Sequence, residues 1–134
     1  MLMMKDIRAF ISSLGIADDC NTYIGKLDNK KRHAIGVYHR KGEGSPITAL
    51  GGAMYSSYDV KRISLLVHWD KDPQASETAA CELYEKLRNI SSLSIGDTPI
   101  LFVILQVPEP ISVGTDESGV YEYVIWLDLV YQRK

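Results

Sequence analysis

The stretch His68-Trp69-Asp70-Lys71-Asp72 places one imidazole and two carboxyls at alternate positions. Where a strand runs out, alternation turns such side chains to one side, and a divalent cation could use all three. Each acid also has a plainer task. Asp72 precedes Pro73 at the start of a helical pattern, where it caps the first free amides, and Asp70 fits a turn. His33 and His39 lie six residues apart on either side of a strand-like segment and would share a face. A zinc site needs further ligands, and Cys20 and Cys81 form no close pair, so both histidines read as surface residues.

Other reactive types lack the spacing their chemistry requires. Ser45, Ser56, Ser57, Ser91 and Ser92 sit in loop-like text, and no GxSxG elbow is present. The glycines of "KGEGS" and "ALGG" are not followed by the Lys-Ser or Lys-Thr pair of a phosphate-binding loop. Lys26, Lys30, Lys31 and Arg32 form a basic run, but the chain carries a formal charge of −2 and a pI near 5.9, which argues against a dedicated nucleic-acid binder. No catalytic, cofactor-binding or metal-binding residue is therefore assigned, and the chain is read as a non-enzyme without a cofactor.

The elements that would position any site follow from periodicity. Ile7, Phe10, Ile11 and Leu14 mark one face of a short helix that Gly15 ends. "NTYIGKL" and "HAIGVYH" read as two strands of a first hairpin around a polar turn. Residues 40–57 hold four glycines and a proline with no period, and read as a flexible loop that orders against a partner. In "YDVKRISLLVHWD", Ile63, Leu65, Val67 and Trp69 face one way and Arg62, Ser64 and His68 the other. A second helix follows, with Ala80, Leu83, Tyr84, Leu87 and Ile90 as its buried stripe; Cys81 within it reads as a small buried hydrophobe. "TPILFVILQV" reads as a strand buried on both faces, weakened or placed at an edge by the following Pro-Glu-Pro. "TDESG" is a turn. Tyr121, Tyr123, Ile125, Leu127, Leu129 and Tyr131 then form the apolar side of a final strand, with Glu122 and Asp128 on the wetter side. The expected fold is α+β: a mainly antiparallel sheet of four to five strands, two helices on one face, in the order α-β-β-loop-β-α-β-β.

The chain has 134 residues, 46% hydrophobic and 24% charged, enough to bury a core as one domain spanning 1–134. Two cysteines make no disulfide framework, which fits synthesis in a reducing cytoplasm. The apolar start is interrupted by Lys5, Asp6 and Arg8 and lacks a signal-peptide core, and no run reaches the roughly 20 apolar residues of a membrane span. With eight tyrosines and two tryptophans, aromatic residues at loop or wet positions stand out as protein-contact candidates: Tyr55, Tyr58, Trp126 and Tyr131. For Trp126, cover by this chain's own helices is an equal alternative.

"YIGKL" at 23–27, the helix "ASETAACELYEKLRNI" at 75–90 and "PEPISVGTDESGVYEYVIWLDLVY" at 108–131, taken in order, resemble the minor capsid and tail-completion proteins of tailed bacteriophages and prophages, which are similar in fold to tail terminators. Gly114, Asp116, Glu117, Gly119, Tyr121 and Glu122 fit the family's turn into its last strand. The resemblance implies a structural protein at the head–tail junction of the virion. It implies a homo-oligomeric ring, a hexamer, that meets the tail tube and the neck or head-completion proteins, with non-specific DNA contact in its channel and no membrane partner. In that setting Asp116 and Glu117 present acid to a neighbour or to the channel. Two other readings stand beside it: a small ligand-binding or regulatory module closed by the glycine loop, and a metal-dependent hydrolase on His68, Asp70 and Asp72.

Overall fold

The computed structural model describes residues 2–25, 32–40, 58–90 and 93–132. Helix α1 spans Met4–Ser13 and buries Ile7, Phe10 and Ile11, as its period requires. Gly15 follows with φ +79, a left-handed conformation that lets the chain leave the helix cheaply. A 3-10 turn at Asp19–Asn21 leads into strand β1, Thr22–Ile24. Arg8 ties the two together: its Nε donates to the Thr22 carbonyl at 2.9 Å and its Nη1 lies 3.0 Å from Asp19.

Strands β2 (Ala34–His39) and β3 (Tyr58–His68) follow, then helix α2 (Pro73–Arg88). Strands β4 (Leu93–Ile95), β5 (Thr98–Leu105), β6 (Ile111–Thr115) and β7 (Tyr121–Gln132) complete the described chain. The described strands form one sheet in the order β1-β2-β3-β7-β5-β4, with β6 also on β7. β7 is the spine. Eleven rows pair it with β3, from Tyr58 opposite Gln132 to His68 opposite Glu122, and its other edge is shared by β5 and β6.

The α+β class and the two helices are as expected; the sheet differs. It is mixed, because β1 runs parallel to β2, a pairing that a tight hairpin turn cannot give. It also has two more strands than the sequence suggested, so the order is α-β-β-β-α-β-β-β-β. β4 is only three residues long and is joined to β5 through a two-residue turn, Gly96–Asp97, in which Gly96 has φ +60. β6 escapes notice because Pro108 and Pro110 interrupt the run, yet pairing with β7 resumes at Ile111 opposite Val124. In effect β5 and β6 are one long strand broken by a proline bulge. Residues 41–57, including the expected loop and Tyr55, lie outside the described residues.

One buried cluster joins both helices to the sheet. It holds Ile7, Phe10 and Ile11 of α1, Ala80, Leu83, Tyr84 and Leu87 of α2, and Ile35, Val37, Ile63, Leu65, Val67, Ile125, Leu127, Leu129 and Tyr131 of the strands. The register explains the selection. Ile63 pairs with Leu127 and Leu65 with Ile125, so the same parity on neighbouring strands supplies one face. Cys81 falls beside the α2 stripe and is exposed, which corrects its reading as buried. β5 is also corrected: Leu101, Phe102 and Ile104 are 45%, 65% and 44% exposed, so only one of its faces is covered.

Polar contacts fix the helices. Asp72 accepts from the Gln74 amide at 3.1 Å with Pro73 at the first helical position, as the sequence indicated. Lys86 donates to the Leu14 carbonyl at 2.8 Å and satisfies the end of α1, and the buried Tyr84 hydroxyl donates to the Val107 carbonyl at 2.7 Å and pins the proline segment to α2.

Leu65→Ala, at a fully buried position of β3, should lower unfolding free energy by about 2–5 kcal/mol in urea denaturation. Asp72→Ala should cost only about 1 kcal/mol in the same assay, because it removes one cap bond and leaves the packing in place.

Candidate assembly surface

The acid–base residues noted in the sequence do not converge. His68 is fully buried on the face of β3 away from the helices. Its Nδ1 lies 2.9 Å from Oε2 of Glu122, its partner across the β3–β7 pair, and its Nε2 lies 3.6 Å from Oδ2 of Asp116. Asp70 turns elsewhere: its Oδ2 meets His33 Nε2 at 3.0 Å and its Oδ1 lies 3.7 Å from Arg32. The His33 bond is the main reason the Asp70 carboxyl titrates below the usual range. Asp72 is occupied by its cap. Among the described residues no group of three or more His, Cys, Asp or Glu side chains is placed to hold a metal ion.

His33 and His39 also part company. His33 has φ +55 and stacks on Trp69 with ring centroids 4.6 Å apart, whereas His39 is exposed at the end of β2. Of the basic run, Arg32 is described, and the lysines at 26, 30 and 31 and the serines at 45, 56, 57, 91 and 92 lie outside the described residues.

The turn between β6 and β7 is a rigid acidic knuckle. Thr115 pairs with Tyr121, the Asp116 amide donates to the Val120 carbonyl at 3.0 Å, and Gly119 takes φ +84. The Asp116 carboxylate accepts from the amides of Ser118 and Val120, each at 2.9 Å. The Val120 bond contributes most to holding its carboxyl below the ordinary aspartate range, against the opposing effect of partial burial; Ser118 and the nearby His68 add to it. Thus Asp116 is an internal strut of the hairpin, while Glu117 at the tip is exposed.

The other contact candidates separate by depth. Trp126 is 41% exposed and Tyr58 is 37% exposed. Both lie on the helix-free face, because Trp126 pairs with Ser64 and Tyr58 with Gln132, an even number of rows apart. At about 3.3 Å per residue they stand roughly 20 Å apart along β3. The Arg40 guanidinium lies 5.9 Å from the Trp126 ring centroid and forms an ion pair with Asp128, which also accepts from Gln106 at 2.9 Å. Tyr131 is different: it is 5% exposed and belongs to the core cluster, so its odd register position on β7 places it inward.

Sequence reasoning missed a set of exposed apolar side chains on β5 and β6. Leu101, Phe102 and Ile104 on β5 and Ile111 and Val113 on β6 are all exposed. Continuous hydrophobicity suggested two covered faces; the signal to the contrary was Pro-Glu-Pro, which marks a strand at a sheet boundary. These five side chains, one of them aromatic and none charged, have the composition of a protein contact.

These features describe a scaffold whose sheet carries exposed apolar side chains on the face away from the two helices and hydrogen-bonded turns at its ends. A family model for bacteriophage tail terminator proteins matches residues 10–133. The chain belongs to the bacteriophage tail terminator family, and its class is that of phage structural proteins that complete the tail. No curated protein matches it. Among the described residues no helix is long and apolar enough to cross a membrane.

The depressed titration of Asp116 has a pH signature. As pH falls, the unfolded chain takes up this proton first, near the ordinary value of about 3.9. The contribution is complete above that value and is lost as pH falls through the lower folded value. Asp116→Asn should therefore be less stable than wild type at neutral pH, with the gap narrowing below about pH 4 in urea titrations across a pH series. A gap that stays constant down to pH 2 would remove the carboxylate's role.

Proposed function

We propose that this chain closes the tail by forming a homo-oligomeric ring, a hexamer, at the head–tail junction, with residues 1–134 acting as one unit. The ring meets the tail tube on one side and the neck or head-completion proteins on the other, and its channel allows non-specific contact with DNA. Membership of the tail terminator family is the observation that carries this reading. The exposed apolar side chains of β5 and β6 support it, because a ring subunit needs apolar surface that neighbours cover.

Within this reading Tyr58 and Trp126 are contact residues on the helix-free face, and Glu117 presents a negative charge at the tip of the β6–β7 knuckle. Asp116 acts indirectly, by holding that knuckle in shape. Tyr55 is proposed as a contact residue from sequence only. No bond-making chemistry is required of any side chain. The protein would be made in the host cytoplasm and function in the virion.

Purified chain mixed with tail-tube protein should give rings on tube ends in negative-stain electron microscopy. Trp126→Ala should reduce ring formation by about tenfold or more, the loss expected of an aromatic contact residue worth over 1.4 kcal/mol, while the folded chain still melts cooperatively. Full ring formation by the variant would remove Trp126 from the interface, and tube ends that stay bare with wild-type protein at high concentration would sink the ring itself.

A further inference from the structure

The outer edge of β5 is chemically open. β4 covers β5 only from Thr98 to Ile100, and among the described residues no strand pairs the same edge beyond that point. The Gln106 amide donates to the Trp126 carbonyl at 2.9 Å, so Gln106 points its backbone groups toward β7. With Leu105 opposite Leu127 and Val103 opposite Leu129, antiparallel alternation turns the N–H and C=O groups of Val103 and Leu105 the other way, outward. Leu101 is the residue at the register shift and is left out of this pattern.

This edge lacks the usual protection. Proteins guard open edges with charges, prolines, bulges or very short strands. β1 and β4 are three residues each, and β6 carries a shift at Gly114 with φ +91. Phe102 to Leu105, by contrast, contains no charge, proline or glycine, and its outer-face side chains Phe102 and Ile104 are exposed. A cleft of about 560 Å³, lined by Tyr84, Arg88, Val103, Ile104, Leu105 and Pro108, runs beside it and leaves room on the α2 side. Arg88 at its rim lies 3.5 Å from Glu85, so the flank carries both signs of charge.

We infer that this edge is a strand-addition site for a second copy of the chain, paired antiparallel about a two-fold axis through Ile104. The same edge is its own best match in length, and being uncharged it sets no like charges opposite each other. Val103 of each copy then faces Leu105 of the other as hydrogen-bonded pairs, exchanging backbone bonds across the axis. Ile104 meets Ile104 as the closely spaced pair, and Phe102 covers it diagonally. A two-fold contact pairs identical patches, whereas a ring closes through head-to-tail contacts between different patches, so the two are separate surfaces. It therefore goes beyond the ring reading and stands or falls independently of it.

The axis supplies the test. Sedimentation of the full chain without tube protein should show pairs. Ile104→Lys and Ile104→Glu should each weaken pairing by at least about tenfold, because a like charge then meets itself across the axis. Mixing the two variants in equal amounts should restore pairing, since only unlike copies now match. Unchanged thermal melts of both variants, expected for a half-exposed side chain, show that folding is intact. Rings still formed by the Ile104→Lys protein on tube ends, together with lost pairing, are the expected combination. Wild-type protein that carries neither pairs nor even multiples, a lysine variant that pairs like wild type, or a mixture that fails to recover would each overturn the site.

Discussion

Every other feature of this molecule depends on β7 being hydrogen-bonded along both edges. Its twelve residues serve β3 along one side for eleven rows, and β5 and then β6 along the other. A one-residue slip would carry Ile125, Leu127, Leu129 and Tyr131 out of the core together. The two flanking registers must therefore agree with each other, and this agreement makes the sheet stiff. Arg40, Gln106 and Asp128 extend the constraint to the helix-free face, where they bind β2, β5 and β7 in one polar row.

The irregular features of the sheet lie at its boundaries. The proline bulge between β5 and β6 ends one ladder and permits the next, and Tyr84 holds it against α2 through the Val107 carbonyl. Among the described residues β5 has one covered face, exposes Phe102 and Ile104 on the other, and has no strand beyond Ile100 on its outer edge. A strand so apolar would be a hazard in a protein that remained solitary.

The charged groups follow one logic. His68 is buried between Glu122 and the acidic turn, Asp70 joins His33 and Arg32, and Asp116 is enclosed by the amides of its own turn. Each is engaged in holding strand ends and turns together. Alternation in "HWDKD" placed three potential ligands on one side of an ideal strand, but the strand stops at His68, and beyond it Asp70 meets His33 while Asp72 caps α2.

The sequence by itself determined what local chemistry controls. Periodicity marked both helices, the Asp72–Pro73 start and the Gly15 end of helical text, and the inward side of β3 and β7, because these depend on residues within a few positions of each other. Order of motifs was enough to indicate the tail-terminator family. Tertiary structure alone decided the parallel pairing of β1 with β2, the three-residue β4, the resumption of pairing at β6, and the exposure of Phe102 and Ile104. It also left Trp126 exposed, and it set His68 against two acids far away in the chain. Those outcomes depend on which strand lies beside which, and partner choice is a non-local quantity that a single run of side chains does not encode.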